Sequence, residues 1–229
     1  MTEIRIVPIE GVPEIVAGDD LGLLIVDAVG PSGFEDGDIL VVTQKVVSKA
    51  EGRCVPALDR ADAVAGESVR VLRRTAGGMV IAETRHGFIC ANAGVDASNV
   101  EEGQIVLLPI DPDASARRIR ARIAHLTERD VGVVISDTFG RAWRLGQTDV
   151  AIGLAGIEPF LDYRGTTDVQ GRELFATRIA VADELAGAGE MVMGKADRIC
   201  AALIRGVKVT WGHGAATELA RPPQDDLFR

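Results

Sequence analysis

The sequence predicts an α+β chain with mixed and antiparallel sheets flanked by helices. Three observations carry that expectation. Segments rich in β-branched residues come in runs with few regular strand–helix–strand alternations, residues 112–126 repeat apolar side chains at helical spacing, and residues 131–135 contain no polar side chain.

Taken in order, Ile4, Ile6 and Pro8 alternate with polar residues and meet Gly11, the pattern of an edge strand ending in a turn. Asp19 and Asp20 are placed to cap a helix over residues 21–29, which the loop Gly30-Pro31-Ser32-Gly33 stops. Residues 38–47 (DILVVTQKVV) follow the turn Glu35-Asp36-Gly37 and predict a strand. Residues 67–74 predict a helix, 79–84 and 88–91 a pair of strands around Arg85-His86-Gly87, and 104–108 another strand. From Pro112 onward Ala116, Ile119, Ile123 and Leu126 share one helical face with arginines on the other, the clearest helix in the chain. Residues 131–135 then read as a buried strand that delivers Ser136, Asp137 and Thr138 to its end. The polar, Gly-containing stretch GRAWRLGQTD reads as a long loop, followed by the apolar segment 150–157 and a polar loop through Asp168. Residues 175–188 and 197–204 predict helices, 207–211 a closing strand, and the tail ARPPQDDLFR a surface strap. No repeat or linker divides the 229 residues, so a single module is expected, in which two α+β subdomains can interleave.

Composition narrows the partners. A formal charge of −9 with no run of lysine or arginine repels a phosphate backbone, which argues against nucleic acid. The three cysteines, Cys54, Cys90 and Cys200, lack paired spacing and fit a reducing cytoplasm. The start carries an acidic residue rather than the basic end of a signal peptide, and no apolar run approaches the roughly 20 residues that cross a bilayer. The expected location is cytoplasmic, with no membrane partner.

Four groups of residues are candidates for chemistry. Asp96 and Asn99 follow a strand and a glycine turn, and Asp137 with Thr138 sits at another strand end; oxygen ligands of this kind suit magnesium or manganese beside a triphosphate. The same residue types also serve as turn and cap formers. Lys45 and Lys49, four apart, are able to neutralise charge on a transferring phosphoryl group or are simply solvated. Arg141 and Arg144 flank Trp143 in a manner suited to clamping an anion, or to an ordinary surface loop. Residues 189–196 (GEMVMGKA) nearly match the phosphate-binding pattern G-x-x-x-x-G-K-[ST], but Ala196 lacks the hydroxyl and the run follows a predicted helix; the plain reading is a glycine turn between helices. His86, His125 and His213 show no ligand spacing, and no serine elbow or Cys–His arrangement supports covalent hydrolysis.

The segments PIEGVPEIVAGDDL, GDILVVTQKVVSKAEGR, ANAGVDASNV, LLPIDPDASA, SDTFGRAWRLGQTDVAIG and VMGKAD resemble, in order and over nearly the whole chain, the coenzyme F-420-0:γ-glutamyl ligase family. The resemblance implies an intertwined α+β homodimer. It implies a ligase that uses GTP and Mg2+ or Mn2+ to join L-glutamate to the phospholactyl carboxylate of the coenzyme precursor through an acyl phosphate. A monovalent cation such as K+ is a further candidate cofactor.

Position by position, the resemblance implies nucleotide contacts at Val12, Pro13, Glu14, Ile15, Gln44, Lys45, Lys49, Asn99 and along Met193, Gly194, Lys195 and Ala196. It places metal ligands at Asp96, Asp137 and Thr138, and catalysis on Lys49, Asp96 and Asp137. Two departures stand out. Some members have serine in place of Gln44, and archaeal members have a metal-binding glutamine at the position of Lys195, whose ammonium cannot ligate a cation. Actinobacterial-type members continue into a flavin-binding, nitroreductase-like domain, so the chain reads either as a free-standing ligase or as the ligase part of a longer one. The rival readings are another metal-dependent phosphoryl-transfer enzyme and a non-catalytic nucleotide-binding module.

Overall fold

The computed structural model describes residues 3–30, 33–57 and 60–226. Of the predicted segments, Pro31 and Ser32 of the first loop and the last three residues of the tail strap lie outside the described residues.

In chain order the elements are β1 (Arg5–Pro8), α1 (Leu21–Val29), β2 (Ile39–Thr43), α2 (Gln44–Ala50), β3 (Cys54–Pro56), α3 (Arg60–Glu67), β4 (Ser68–Arg74), β5 (Val80–Thr84), β6 (Ile89–Ala91), β7 (Gln104–Val106), α4 (Pro112–Thr127), β8 (Gly132–Gly140), β9 (Gln147–Ala155), β10 (Leu161–Asp162), β11 (Arg178–Ile179), α5 (Val181–Met193) and β12 (Ala201–Arg205). The central sheet runs β1-β12-β2-β8-β9. Strands β2 and β8 are parallel, from Ile39 opposite Gly132 to Thr43 opposite Ser136, and every other pair is antiparallel. The fold is thus α+β with a mixed sheet, as its sequence predicts.

Both faces of this sheet are covered, which is why β2 and β8 carry unbroken apolar runs. Leu40, Val42, Val133 and Ile135 face one core with Ile25 of α1 and Ile119 and Ile123 of α4. Their strand neighbours Ile39, Val41 and Val134 face the other core with Val181, Leu185 and Ala186 of α5. Helix α5 lies close to the sheet because Gly189 has no side chain: a Cβ there would come within 2.8 Å of Val41. A third, smaller core (Val64, Val80, Ala82, Val95, Ile105, Leu107) belongs to the excursion between α2 and α4, where β4-β5-β6 and β3-β7 form two small antiparallel sheets.

Several segments differ from their predicted state for physical reasons. The predicted strand 38–47 ends at Thr43, where burial changes from the continuous run 39–42 to the helical set Gln44, Val47 and Ser48. Residues 68–74 form strand β4 rather than a helix; its backbone pairs with β5, with two register shifts. The predicted helix 197–204 gives way to β12, which lies between β1 and β2; burial on both sides removes the alternation that marks a strand. Residues 207–211 contribute only an isolated bridge between Ile157 and Trp211. The expected long loop is mostly a hairpin: β8 and β9 pair from Gly140 with Gln147 inward, leaving residues 141–146 as its tip. The apolar segment 150–157 is buried within the chain, with Ala151, Ile152, Leu154 and Ile157 all in its cores. No described helix is long and apolar enough to cross a membrane.

Candidate active site

Because β2 and β8 are parallel, their carboxyl ends open on one edge of the sheet, and the antiparallel neighbours bring the end of β1 and the starts of β9 and β12 there too. Ligands in sheets with parallel strands bind outside such ends. Helix α2 starts directly from β2, with Thr43 extended at its N-cap. Burial of Gln44, Val47 and Ser48 turns Lys45 and Lys49 the other way, one helical turn apart on a common side.

Each lysine meets a carboxylate from a different part of the chain. Lys45 Nζ lies 2.7 Å from Asp96 Oδ2 and also contacts the Ser98 hydroxyl. Lys49 pairs with Glu14, in the loop after β1. Asp96 is carried here by a tight backbone path: Asn92, Ala93 and Gly94 all have positive φ (51, 52 and 76°), and the main chain of Asp96 is then tied to Val106 by two hydrogen bonds. Burial opposes the charge of Asp96, but the Lys45 ammonium and the Ser98 hydroxyl and N–H outweigh it and hold this carboxyl below its ordinary range.

Asp137 and Thr138 are adjacent on β8 and therefore point to opposite faces. Asp137 is on the face of α2 and the excursion, within electrostatic reach of Lys45, Asp96 and the buried Cys90. It accepts one hydrogen bond among the described residues, 2.9 Å from the Thr138 N–H. Burial, with the charges of Asp149 and Asp96 adding to it against the Thr138 N–H and Lys45, raises its carboxyl to about 7. Thr138 faces the α5 side. Its hydroxyl donates to Asp149 Oδ1 at 2.6 Å and accepts from Lys195 Nζ at 2.8 Å.

Asp149 was not among the predicted site residues. It is 3% exposed and accepts from Ser136 Oγ (3.0 Å), Thr138 Oγ1 and Lys195 Nζ (3.0 Å). The sequence signal for it was present but needed the hairpin: a turn centred between Trp143 and Arg144 pairs Thr138 with Asp149 across the strands.

Of the expected contacts, Glu14, Lys45, Lys49, Asp96, Asp137, Thr138 and Lys195 come together at this edge through these pairs. Ile15 is core, with Val12 packed against the same cluster, while Pro13 and Glu14 are exposed. Gln44 is buried, and its Nε2 has no partner among the described residues although its Oε1 accepts from Ser48. The Met193 side chain is in the core, so only its main chain is free to meet a ligand; Gly194 and Lys195 follow the end of α5, and Ala196 is exposed. The GK pair at a helix C-terminus removes the phosphate-loop reading, which requires a helix N-terminus. Asn99 is exposed at φ 57° and is not brought into the lysine–carboxylate pairs, and Arg141 folds back onto the Leu145 carbonyl at the hairpin tip. Burial pushes the Cys90 thiol up to about 12 and Cys200 up to about 11, so neither is a ready nucleophile.

In sum of charge, Glu14, Asp96 and Asp149 each have a lysine, Glu190 shares Lys195 at 3.3 Å, and Asp137 has no ion-pair partner among the described residues. A half-buried carboxylate flanked by two others is a place that a divalent cation would relieve. Asp137, within electrostatic reach of Asp96, has the donor chemistry for such an ion, while no group of three His, Cys, Asp or Glu side chains that could hold a metal occurs among the described residues.

Residues 11–206 match the sequence profile of the family described as F420-0:Gamma-glutamyl ligase. The chain belongs to that family. Relatives named Coenzyme F420:L-glutamate ligase are 43% identical in Methanothermobacter thermautotrophicus, over 99% of both chains, and 41% identical in Archaeoglobus fulgidus, over 99% of this chain and 96% of the relative. A third, from Methanocaldococcus jannaschii, is 40% identical over 86% of each chain. As a member of the F420-0:gamma-glutamyl ligase family the chain is an enzyme of the ligase type.

Proposed function

We propose that the chain joins L-glutamate to the phospholactyl carboxylate of a coenzyme F-420 precursor, driven by GTP and assisted by Mg2+ or Mn2+. The observation that carries this reading is the Asp96–Lys45 pair beside the unpaired Asp137, with Lys49 one turn away. The edge offers two lysines that phosphates could engage, and the carboxylates of Asp96 and Asp137 for a metal. The orphaned amide of Gln44 adds a buried donor that a nucleotide oxygen would satisfy.

In this mechanism the substrate carboxylate attacks the γ-phosphorus of GTP. An acyl phosphate forms and GDP leaves. The amine of glutamate then attacks the acyl carbon, phosphate departs with the electrons of the broken C–O bond, and the ammonium formed gives its proton to solvent. Lys45 and Lys49 offset the negative charge that accumulates on the transferring group. Asp96 and Asp137 would hold the divalent ion, which when bound supplies Lewis-acid charge stabilisation. Glu14 and Asp96 orient the two lysines. No side-chain nucleophile is needed, in keeping with the raised thiols of Cys90 and Cys200.

The test is mass spectrometry of coenzyme precursor incubated with the protein, glutamate, GTP and Mn2+. A gain of one or more glutamyl units is expected; phosphate release that ignores glutamate refutes ligation. We extend the proposal to a homodimer, for which strand β4 offers an edge bearing the exposed Val69, Val71 and Leu72. Light scattering should give twice the chain mass, and an active monomer refutes it.

A further inference from the structure

Resting on the proposed metal site, we propose that the Thr138 hydroxyl serves a second cation position, already filled by the Lys195 ammonium, and that the enzyme therefore holds one divalent ion per chain rather than two. The argument begins with strand geometry. Adjacent side chains on β8 leave opposite faces: Asp137 is within electrostatic reach of Asp149, Lys45, Asp96 and Cys90 but hydrogen-bonds none of them, whereas the Thr138 hydroxyl bonds Asp149 and Lys195 directly. A β-bulge between Ile135 and Ser136 marks the point where this polar face begins, opposite α5.

On that face Lys195 Nζ is ringed by oxygen: Thr138 Oγ1 at 2.8 Å, Asp149 Oδ1 at 3.0 Å and Glu190 Oε1 at 3.3 Å. These are hydrogen-bond distances for an ammonium, well beyond the roughly 2.0–2.1 Å that magnesium demands. Asp149 accepts from Ser136 on Oδ2 and from Thr138 and Lys195 on Oδ1. The Thr138 hydroxyl gives its proton to Asp149 and accepts from Lys195. A divalent ion could take Thr138 Oγ1 and Asp149 Oδ1 together only by displacing the ammonium that already bonds both.

The chain is built to put a cation there. Helix α5 ends at Gly194, whose φ of 59° turns the chain, and Lys195 follows directly. An ammonium at a helix C-terminus also meets the negative end of the helix dipole. Glu190, one turn earlier on α5, completes the ring.

The experiment counts Mn2+ ions bound to the nucleotide-free chain, by calorimetric titration together with the electron-spin signal of free Mn2+. The expected result is one ion for the wild type and two for Lys195→Gln, in which removal of the ammonium frees Asp149, Glu190 and Thr138 for a second ion. Lys195→Arg retains a cation and should bind one. Thr138→Val should leave the Mn2+ affinity of the first site within about twofold, because its hydroxyl does not touch that ion.

Two ions on the wild type, one on Lys195→Gln, or a tenfold loss of affinity in Thr138→Val each overturn the inference while leaving the metal reading in place. No ion on the wild type with one on Lys195→Gln upholds the ammonium position and removes the Asp96–Asp137 site. No ion on either overturns both.

Discussion

Replacing Asp137 with asparagine separates what the residue does for function from what it does to stability, because the two effects have opposite signs. The unfolded chain releases this proton near 3.8, while the folded chain holds it to about 7, chiefly because burial disfavours the anion. Between those values the native state binds more protons than the unfolded one, so stability falls as pH rises through the window and is lowest above it. The difference between 3.8 and about 7 amounts to ~4 kcal/mol at ~1.36 kcal/mol per pH unit; Asp137 is only half-buried, so water reduces the working figure to about 2 kcal/mol. Asparagine keeps the volume and an oxygen to accept from the Thr138 N–H, and never carries the charge. In chelator, at about pH 8, Asp137→Asn should therefore melt roughly 4–8 °C above the wild type, with the gap shrinking by about half near pH 5.5. The same variant should lose at least about 100-fold in glutamyl transfer, since the proposed ion loses a charged ligand. Thermal unfolding by circular dichroism at the two pH values, with turnover measured on the same preparation, checks both arms. A variant that is less stable than the wild type at pH 8 refutes the electrostatic account of Asp137, and one that is folded and fully active refutes its place in the site.

Lys49→Ala should raise KM for GTP by about tenfold, the loss of one charge-assisted contact, and unchanged kinetics would leave Lys49 as a partner of Glu14 alone. Gly194→Ala should destabilise by ~1–2 kcal/mol, because φ is 59° and the new Cβ would come 2.7 Å from Asp197 Oδ2; a neutral result in chemical denaturation shows that the turn relaxes freely. If the precursor carboxylate is labelled with heavy oxygen, one labelled atom should appear in phosphate for each amide formed. Label absent from phosphate sinks the acyl-phosphate route even where ligation stands.

The parts of the fold that the sequence reveals are those with one-sided burial. Helix α4 shows its apolar face because the other face is solvated, and its start is marked by Asp111, which caps Ala114 N–H at 2.8 Å. The β5–β6 hairpin announces itself through its glycine turn. Where burial is two-sided, periodicity carries no information: β12 is apolar on both faces and short, and nothing local distinguishes AALIR from a buried helical turn. The β2–α2 junction fails for a related reason. VVTQKVV is β-branched at all but Gln44 and Lys45, and the change of state at Thr43 is set by what Gln44, Val47 and Ser48 pack against, which is a property of the tertiary structure.

The site divides the same way. Asp96, Asp137, Lys45 and Lys49 could be singled out because each is a charged residue beside a strand end or glycine turn, where side chains are free to do chemistry. Asp149 could not, because its meaning lies in a cross-strand pairing. Asp149 is only 3% exposed, a position that is costly for a carboxylate unless it is hydrogen-bonded and paired, and the three donors that reach it come from residues 136, 138 and 195. Once Asp149 is on β9 opposite Thr138, a compensating cation becomes obligatory, and Lys195 is the one that the end of α5 delivers. Burial works against the charge of Lys195, yet Asp149 and Glu190 outweigh it and raise its pKa above the ordinary lysine value, so it is a cation at neutral pH. A lysine fixed in that role does not come and go with metal concentration. The two faces of β8 then differ: on one the Lys195 ammonium meets Thr138 and Asp149, and on the other Asp137, without an ion-pair partner among the described residues, is the carboxylate we propose for the divalent ion.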